Sequence, residues 1–157
     1  MSDSRKTPFL ANGWLLVAIQ FVLIAVLAAG ALARWTTGTP PSAPAILLLL
    51  AGGGLGVWAM LAMQTANFSV MPVPREGASL ITRGPYRWIR HPMYTAVLLA
   101  CAGLVLDLTE PMLWIAWILL AVNLIVKLNL EEHLLATRHA AYADYRRRTA
   151  RLIPRVF

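Results

Sequence analysis

Four long apolar segments determine which folds this chain can adopt. Residues 12–33 and 45–66 contain no charged side chain, and residues 93–108 and 112–130 contain one each. A helix of about 20 apolar residues is long enough to cross the ~30 Å hydrocarbon core of a bilayer. We therefore predict an all-α integral membrane protein with four transmembrane helices, the last two of which form a helical hairpin.

The composition excludes an ordinary soluble domain. Apolar residues make up 59% of the 157 residues, charged residues make up 13%, and the mean hydropathy is +0.63. A soluble chain of this length could not bury so much apolar surface, so part of its solvent must be lipid. We expect residues 1–157 to form a single membrane domain. The single cysteine, Cys101, excludes an intramolecular disulfide, and we predict no metal site.

Residues 67–92 form the longest polar connection between predicted spans. Their length exceeds what a simple turn needs, which is typical of a functional loop. Pro85 favours one short helical turn, and Pro92 favours the start of the third span. The second span carries a run of small residues, and glycine in a membrane helix indicates a closely packed neighbouring helix. These residues are Gly52, Gly53, Gly54 and Gly56.

The positive charge is distributed unevenly around the predicted spans. With four spans, thirteen of the fourteen Lys and Arg residues fall on one side, and Arg34 lies alone on the other. Positive residues accumulate on the cytoplasmic side, so we expect both termini and the 67–92 loop there, in a prokaryotic cytoplasmic membrane. The net charge of +7 is then a signal of topology and of contact with lipid headgroups. It therefore does not indicate nucleic-acid binding.

The sequence Arg90–His91–Pro92 places two polar side chains at the predicted start of the third span. A helix N-terminus offers unpaired N–H groups and a partial positive charge. The corner therefore suits an anionic or carboxylate-bearing ligand, and we predict a functional role for Arg90 and His91. For the neighbouring Arg83 and Arg87, simple contact with lipid phosphates is an equally good interpretation.

Polar residues also recur along the fourth span. Asn123, Lys127 and Glu131 are four residues apart and therefore share one helix face. Polar side chains within a span usually face the bundle interior or a water-filled cavity. Lys127 could instead anchor the helix at the interface by pairing with Glu131. The adjacent Glu131 and Glu132 would favour the ammonium or ribose hydroxyls of a ligand.

Residues 131–157 are predicted to form a C-terminal cap on the cytoplasmic face. Leu134, Leu135, Tyr142 and Tyr145 recur at helical spacing among charged residues, which predicts an interfacial amphipathic helix. Tyr142, Tyr145 and Arg148 could fold back as a lid, because aromatic faces favour sulfonium or ammonium cations. Packing of the helix on the bundle explains the two tyrosines equally well.

These residues together resemble the isoprenylcysteine carboxyl methyltransferase family, which is grouped with the membrane phospholipid N-methyltransferases. The resemblance covers roughly residues 58–154 and includes the Glu131–Glu132 pair and Tyr142-x-x-Tyr145-x-x-Arg148. The motif before the third span consists of Leu80, Gly84, Pro85, Tyr86, Arg90, His91, Pro92 and Tyr94.

The resemblance implies a pocket for S-adenosylmethionine that the C-terminal segment closes. It implies that Arg90, His91 and Tyr94 line one side of the pocket and that Glu131 and Glu132 close the other. Gly84 and Tyr86 would allow close backbone approach to the cofactor. A lipophilic or lipid acceptor would enter from the bilayer.

From these observations we expect an S-adenosylmethionine-dependent methyltransferase that acts on a lipophilic carboxylate, thiol or amine. Arg90, the predicted catalytic residue, would hold a carboxylate of either the acceptor or the cofactor. An NADPH-binding reductase of the sterol type and a non-catalytic membrane scaffold are the alternatives. A cation transporter is disfavoured because the first two spans contain no Asp or Glu.

Overall fold

The computed structural model describes residues 6–63 and 80–154, and the side chains from residue 13 onward within that part. This part is helical and contains no strand, which confirms the all-α prediction. The end of the predicted second span and the first half of the 67–92 loop lie outside the described residues. The helices are α1 (Lys6–Thr36), α2 (Ala43–Met63), α3 (Pro92–Val105), α4 (Pro111–Arg138) and α5 (Tyr142–Arg148).

Three of these helices, α1, α2 and α4, are long and apolar enough to cross a membrane. The fourth apolar helix, α3, has 14 residues and is shorter than a full span. Large apolar side chains point away from the bundle, as expected where lipid replaces water as the surrounding solvent. Examples are Leu47, Leu61 and Met112, which are 66%, 75% and 72% exposed. The chain is a membrane protein on this evidence.

Proline residues set the helix boundaries where the sequence predicted them. A 3₁₀ turn spans Gly84–Arg87 with Pro85 in its first turn, and α3 begins at Pro92. Both short-range predictions are confirmed. The fourth helix differs, because it continues past Leu130, the predicted end of the span, to Arg138. Hydropathy marks where lipid contact ends, whereas a helix continues until a proline, glycine or cap interrupts its hydrogen bonds.

Close backbone contact joins α2 to α3. A Cβ atom on Gly52 would lie 2.6 Å from the backbone N of Ala100, and one on Gly103 would lie 2.7 Å from the carbonyl oxygen of Ala45. No side chain larger than hydrogen fits at either position without moving the backbone. The predicted glycine packing is therefore confirmed for Gly52. Gly53 faces open space and does not take part.

The interior of the bundle lies where α1, α3 and α4 meet. The side chains of Leu27, Val105, Leu120 and Leu124 are fully buried there, and Cys101 lies beside them as a small apolar residue. Helices α1 and α4 pack against each other along this core. One end of the bundle, which we call the site end, contains Glu131 and Glu132 of α4 and the start of α3. At the opposite end, the far end, α2 begins and α3 turns into α4.

Candidate active site

The loop before α3 is fixed to the end of α2. Gly84 has φ +58°, a conformation that favours glycine, and a Cβ there would lie 2.7 Å from the Cβ of Ala62. The Nε of Arg83 donates to the carbonyl oxygen of Ala62 at 3.0 Å. The resemblance implied that Gly84 allows close approach to a cofactor. In the structure, the close approach at Gly84 is to α2, and it positions the residues that follow.

Arg90 is buried at the centre of the site end. Its Nε donates to Oε1 of Glu132 at 2.7 Å, and both side chains are 6% exposed. Its Nη1 donates to the carbonyl oxygen of Arg146 at 3.1 Å and also to that of Thr149. A buried guanidinium needs such partners, because an unpaired charge in the interior is strongly unfavourable. Arg90 thus joins the start of α3 to α4 and to the C-terminal segment.

His91 and Tyr94 connect the start of α3 to both glutamates. His91 Nε2 lies 3.3 Å from Oε1 of Glu132, and its Nδ1 lies 3.7 Å from Oε2 of Glu131. Tyr94 donates its hydroxyl to Oε2 of Glu131 at 3.0 Å, and its ring stacks on that of His91 with centroids 5.4 Å apart. The Glu131 side chain is 29% exposed.

The C-terminal segment, residues 139–154, closes over this cluster through backbone hydrogen bonds. Ala150 N–H donates to Trp88 O at 3.0 Å, while the N–H groups of Arg90 and His91 donate to Ala150 O and Arg151 O at 2.8 and 3.1 Å. This short parallel pairing places Arg151 Nη2 3.3 Å from Oε2 of Glu132. Glu132 therefore contacts Arg90, His91 and Arg151 together.

Two tyrosines of α5 pack under the loop. Tyr145 donates its hydroxyl to the carbonyl oxygen of Tyr86 at 2.7 Å. The hydroxyls of Tyr86 and Tyr142 are buried and have no hydrogen-bond partner among the described residues. Burial raises the pKa of both hydroxyls well above the ordinary value, so they stay protonated and can donate. Buried hydroxyls without a partner are uncommon, and they suit a polar ligand.

Arg148 lies away from the cluster that the other predicted site residues form. Its side chain is exposed, and its Nε donates to the carbonyl oxygen of Asp144, one turn earlier on α5. The tyrosines of the predicted lid are therefore brought to the site, and the arginine is not. A cleft of about 450 Å³ lies between the end of α4 and the start of α5, and Tyr142 and Arg147 are among the residues that line it. Arg90 and Glu132 do not line it.

Asn123 and Lys127 face α1. The Nδ2 of Asn123 donates to the carbonyl oxygen of Leu16 at 3.1 Å. The Nζ of Lys127 donates to Oε1 of Gln20 at 2.5 Å and lies 5.5 Å from the centroid of the Tyr94 ring. Lys127 is 1% exposed, so it lies inside the bundle and not at an interfacial surface. The two residues extend the polar character of the site into the apolar interior.

Sequence reasoning missed three residues that take part in this arrangement. Arg151 and Thr149 contact the cluster because the C-terminal segment pairs with residues 88–91, a long-range pairing without a local sequence signal. Gln20 was missed although a buried amide in an uncharged span is a recognisable signal. Its partner on α4 could not be assigned from the sequence, because the pairing of α1 with α4 depends on the whole bundle.

The fold and this cluster define a helical membrane protein with a buried ionic site at one end. A model of the phospholipid methyltransferase family matches residues 42–141, which is well over half of the chain. The chain belongs to the phospholipid methyltransferase family, a family of membrane methyltransferases. The match includes the Arg90–Tyr94 motif and both glutamates. It leaves out α1 and most of the C-terminal segment.

Two relatives are known for resistance to heavy metals. The chain is 34% identical over 84 residues to a nickel-cobalt-cadmium resistance protein of Alcaligenes xylosoxydans xylosoxydans. It is 36% identical over 84 residues to a cobalt-zinc-cadmium resistance protein of Cupriavidus metallidurans. Each match covers 52% of this chain but only 39% and 38% of the two relatives. The matched region is thus about two-fifths of each relative's length.

Proposed function

We propose that the protein is an S-adenosylmethionine-dependent methyltransferase that methylates a lipophilic acceptor entering from the bilayer. The observation that carries this proposal is the cluster of Arg90, His91, Tyr94, Glu131 and Glu132 in a member of the phospholipid methyltransferase family. These residues come from two separate helices and meet under the C-terminal segment. Such a covered, polar corner beside a lipid-facing bundle suits a water-soluble methyl donor and an apolar methyl acceptor.

The polar groups of the site fit S-adenosylmethionine. The partly exposed carboxylate of Glu131 would accept hydrogen bonds from ribose hydroxyls or from the ammonium group of the methionine moiety. The buried hydroxyls of Tyr86 and Tyr142 are available to polar atoms of the cofactor. When bound, the cofactor would supply an activated methyl group.

Alignment and exclusion of water are the main tasks left to the protein. Holding two reactants in line can contribute on the order of 7–11 kcal/mol to catalysis. Arg90 would serve these tasks by joining Glu132 to the closing segment through the carbonyls of Arg146 and Thr149. The guanidinium would also hold a carboxylate of the cofactor or the acceptor.

The proposed placement in the membrane follows from the charge distribution. In the predicted topology, nearly all the Lys and Arg residues fall on the side of the site end, so we place this end in the cytoplasm, where S-adenosylmethionine is made. Both termini would then be cytoplasmic. The lipophilic acceptor would reach the site laterally, between helices, and the surrounding lipids would contact the exposed apolar side chains.

Cofactor binding by the full chain in detergent tests the proposal. Isothermal titration with S-adenosylhomocysteine should show binding that Glu131→Ala weakens by about tenfold, as expected for loss of a charged hydrogen bond. Arg147→Ala, which removes an exposed side chain near the site, is the matched control and should bind normally. Binding of NADPH without binding of S-adenosylhomocysteine would instead support a reductase and refute the proposal.

A further inference from the structure

The cleft between the end of α4 and the start of α5 has a lining that differs from that of the buried ionic cluster. Its volume is about 450 Å³, and three alanines supply much of its apolar lining. Its polar lining side chains are those of His139, Arg146 and Arg147. Within the described part of the chain, no carboxylate lines it. Arginine holds phosphate and carboxylate groups through charge-assisted hydrogen bonds, so the cleft suits an anionic ligand.

One exposed face of α4 connects this cleft to the apolar surface of the bundle. Exposed side chains follow one another on this face at steps of three and four residues, which keep them on the same side of a helix. They are Val122, Val126, Asn129, His133 and Ala136. The two valines lie within the predicted fourth span, the next two side chains are polar, and Ala136 lines the cleft. The face therefore runs from an apolar part to a polar part and ends at the cleft.

The position of the cleft along α4 matches the layer of lipid headgroups. The predicted fourth span ends at Leu130, and Ala136 lies further along the same helix by about 9 Å, at 1.5 Å per residue. The polar layer on each side of the hydrocarbon core is about 5–8 Å thick. A lipid can therefore place its negative charge at the cleft while its chains contact the apolar part of the α4 face. A soluble anion would use only the cleft.

Helix α5 contacts both the cleft and the ionic cluster. Arg146 lines the cleft, and its carbonyl oxygen accepts a hydrogen bond from Nη1 of Arg90 at 3.1 Å. Tyr145, the preceding residue, donates its hydroxyl to the carbonyl oxygen of Tyr86 at 2.7 Å. A ligand that Arg146 holds would therefore stabilise α5 in the position in which it contacts Arg90, because a ligand favours the form that binds it.

We propose that this cleft binds the headgroup of an anionic membrane phospholipid, and that the bound lipid holds the C-terminal segment closed over the ionic cluster. Arg146 would hold the headgroup, with Arg147 beside it, and the acyl chains would lie along Val122 and Val126. This lipid is not the methyl acceptor, because Arg90 does not line the cleft. It would bind whether or not the protein is a methyltransferase.

Native mass spectrometry of the full chain in a nonionic detergent measures lipid binding. Dioleoylphosphatidylglycerol should bind, and dioleoylphosphatidylcholine, which has no net charge, should bind more weakly. Arg146→Gln should weaken binding of the anionic lipid by about fivefold, the contribution expected of one arginine near anionic headgroups. Arg148→Gln removes the same charge from α5 outside the cleft and is the matched control. Equal weakening by both substitutions would overturn the proposal, because α5 would then attract the lipid without a defined site.

A second pair of variants places a new side chain in the cleft and leaves the arginines intact. Ala140 is exposed and lines the cleft. Ala140→Glu should weaken binding of dioleoylphosphatidylglycerol by at least about tenfold, because like charges repel. Ala140→Gln, which adds a neutral side chain of the same size, should weaken it less. Undiminished binding by Ala140→Glu would refute the site. Displacement of the lipid by inorganic phosphate would show that the cleft takes a soluble anion, and would refute the lipid as its ligand.

Hydrogen exchange of the full chain in lipid nanodiscs tests whether the lipid holds the C-terminal segment closed. The amides to follow are those of Arg90, His91 and Ala150, which pair the C-terminal segment with the start of α3. Their exchange should be at least about threefold slower in discs of equal parts phosphatidylglycerol and phosphatidylcholine than in discs of phosphatidylcholine alone. Arg146→Gln should lose this slowing, and Arg148→Gln should keep it. Equal exchange in the two kinds of disc would overturn the closing role.

Discussion

The two ends of the bundle each use a carboxylate to join distant parts of the chain, but the carboxylates differ in burial. At the site end, Glu132 is 5% exposed and contacts Arg90, His91 and Arg151. At the far end, Asp107 is half-buried in the turn between α3 and α4 and accepts a hydrogen bond from Ser42 N–H at 2.7 Å. Ser42 immediately precedes α2, so this contact ties the start of α2 to the α3–α4 turn.

The difference shows that burial decides how much each contact contributes to the free energy of unfolding. Removing one partner of a buried ion pair leaves the other charge in a low-dielectric environment without compensation. Removing one partner near the surface lets water replace it. The site end should therefore be sensitive to single substitutions, and the far end should tolerate them. The family match includes both carboxylates, so family membership alone does not distinguish their contributions.

The largest loss of stability is expected for Glu132→Leu. This change leaves the guanidiniums of Arg90 and Arg151 without their shared carboxylate, and breaking a buried ion pair costs about 3–5 kcal/mol. The measurement is the free energy of unfolding in detergent micelles. The control is Glu110→Leu at the far end, where the glutamate side chain makes no capping hydrogen bond. Equal effects of the two substitutions would contradict the comparison.

A matched pair of tyrosine substitutions tests the site end through smaller changes in the free energy of unfolding. Tyr145→Phe leaves the buried carbonyl oxygen of Tyr86 without its donor and should cost about 1–3 kcal/mol of unfolding free energy. Tyr142→Phe removes a hydroxyl that has no partner among the described residues, so stability without cofactor should stay the same or rise.

The same pair distinguishes a structural hydroxyl from one that serves a ligand. If the Tyr142 hydroxyl contacts the cofactor, Tyr142→Phe should weaken S-adenosylhomocysteine binding by roughly threefold to tenfold, the value of one hydrogen bond. Isothermal titration measures this change. A loss of stability in Tyr142→Phe with unchanged binding would show that the hydroxyl has a structural partner in the protein.

The sequence was informative wherever the signal was local. Pro85 and Pro92 fixed the 3₁₀ turn and the start of α3, because the proline ring sets φ and removes a hydrogen-bond donor. The hairpin between the last two apolar segments brought Glu131 and Glu132 back towards Arg90 and His91. The sequence alone therefore predicts that the two motifs lie close together.

The remaining features depend on long-range contacts. The partner of Lys127 is Gln20, more than a hundred residues away, and no periodicity in either helix indicates that pairing. Arg151 reaches Glu132 because the C-terminal backbone pairs with residues 88–91. The position of Arg148 shows the opposite case, because its motif spacing indicated a site residue and α5 turns it outward.

The far end should respond to pH weakly and in one direction. Hydrogen bonds from Ser42 lower the pKa of Asp107 below its ordinary value of 3.8. Since the folded-state pKa is the lower one, the ionised carboxylate stabilises the fold above pH 3.8, and this stabilisation is lost as the pH falls through the folded-state pKa. Asp107→Asn should therefore remove a small part of the acid sensitivity of unfolding at pH values below 3.8. An unchanged acid profile would show that Ser42 does not hold this carboxylate.

The smallest loss of stability is expected for Arg147→Ala. This substitution tests whether burial or proximity to the site determines how much a contact stabilises the fold. Arg147 forms an ion pair with Asp144 at 2.5 Å in α5, but these side chains are 77% and 64% exposed. Exposed pairs of this kind contribute about 0–1 kcal/mol, because water and salt screen both charges. A double-mutant cycle with Asp144→Ala measures the coupling directly from unfolding free energies. Coupling as large as that between Glu132 and Arg90 would mean that proximity to the site, and not burial, makes this end of the bundle sensitive.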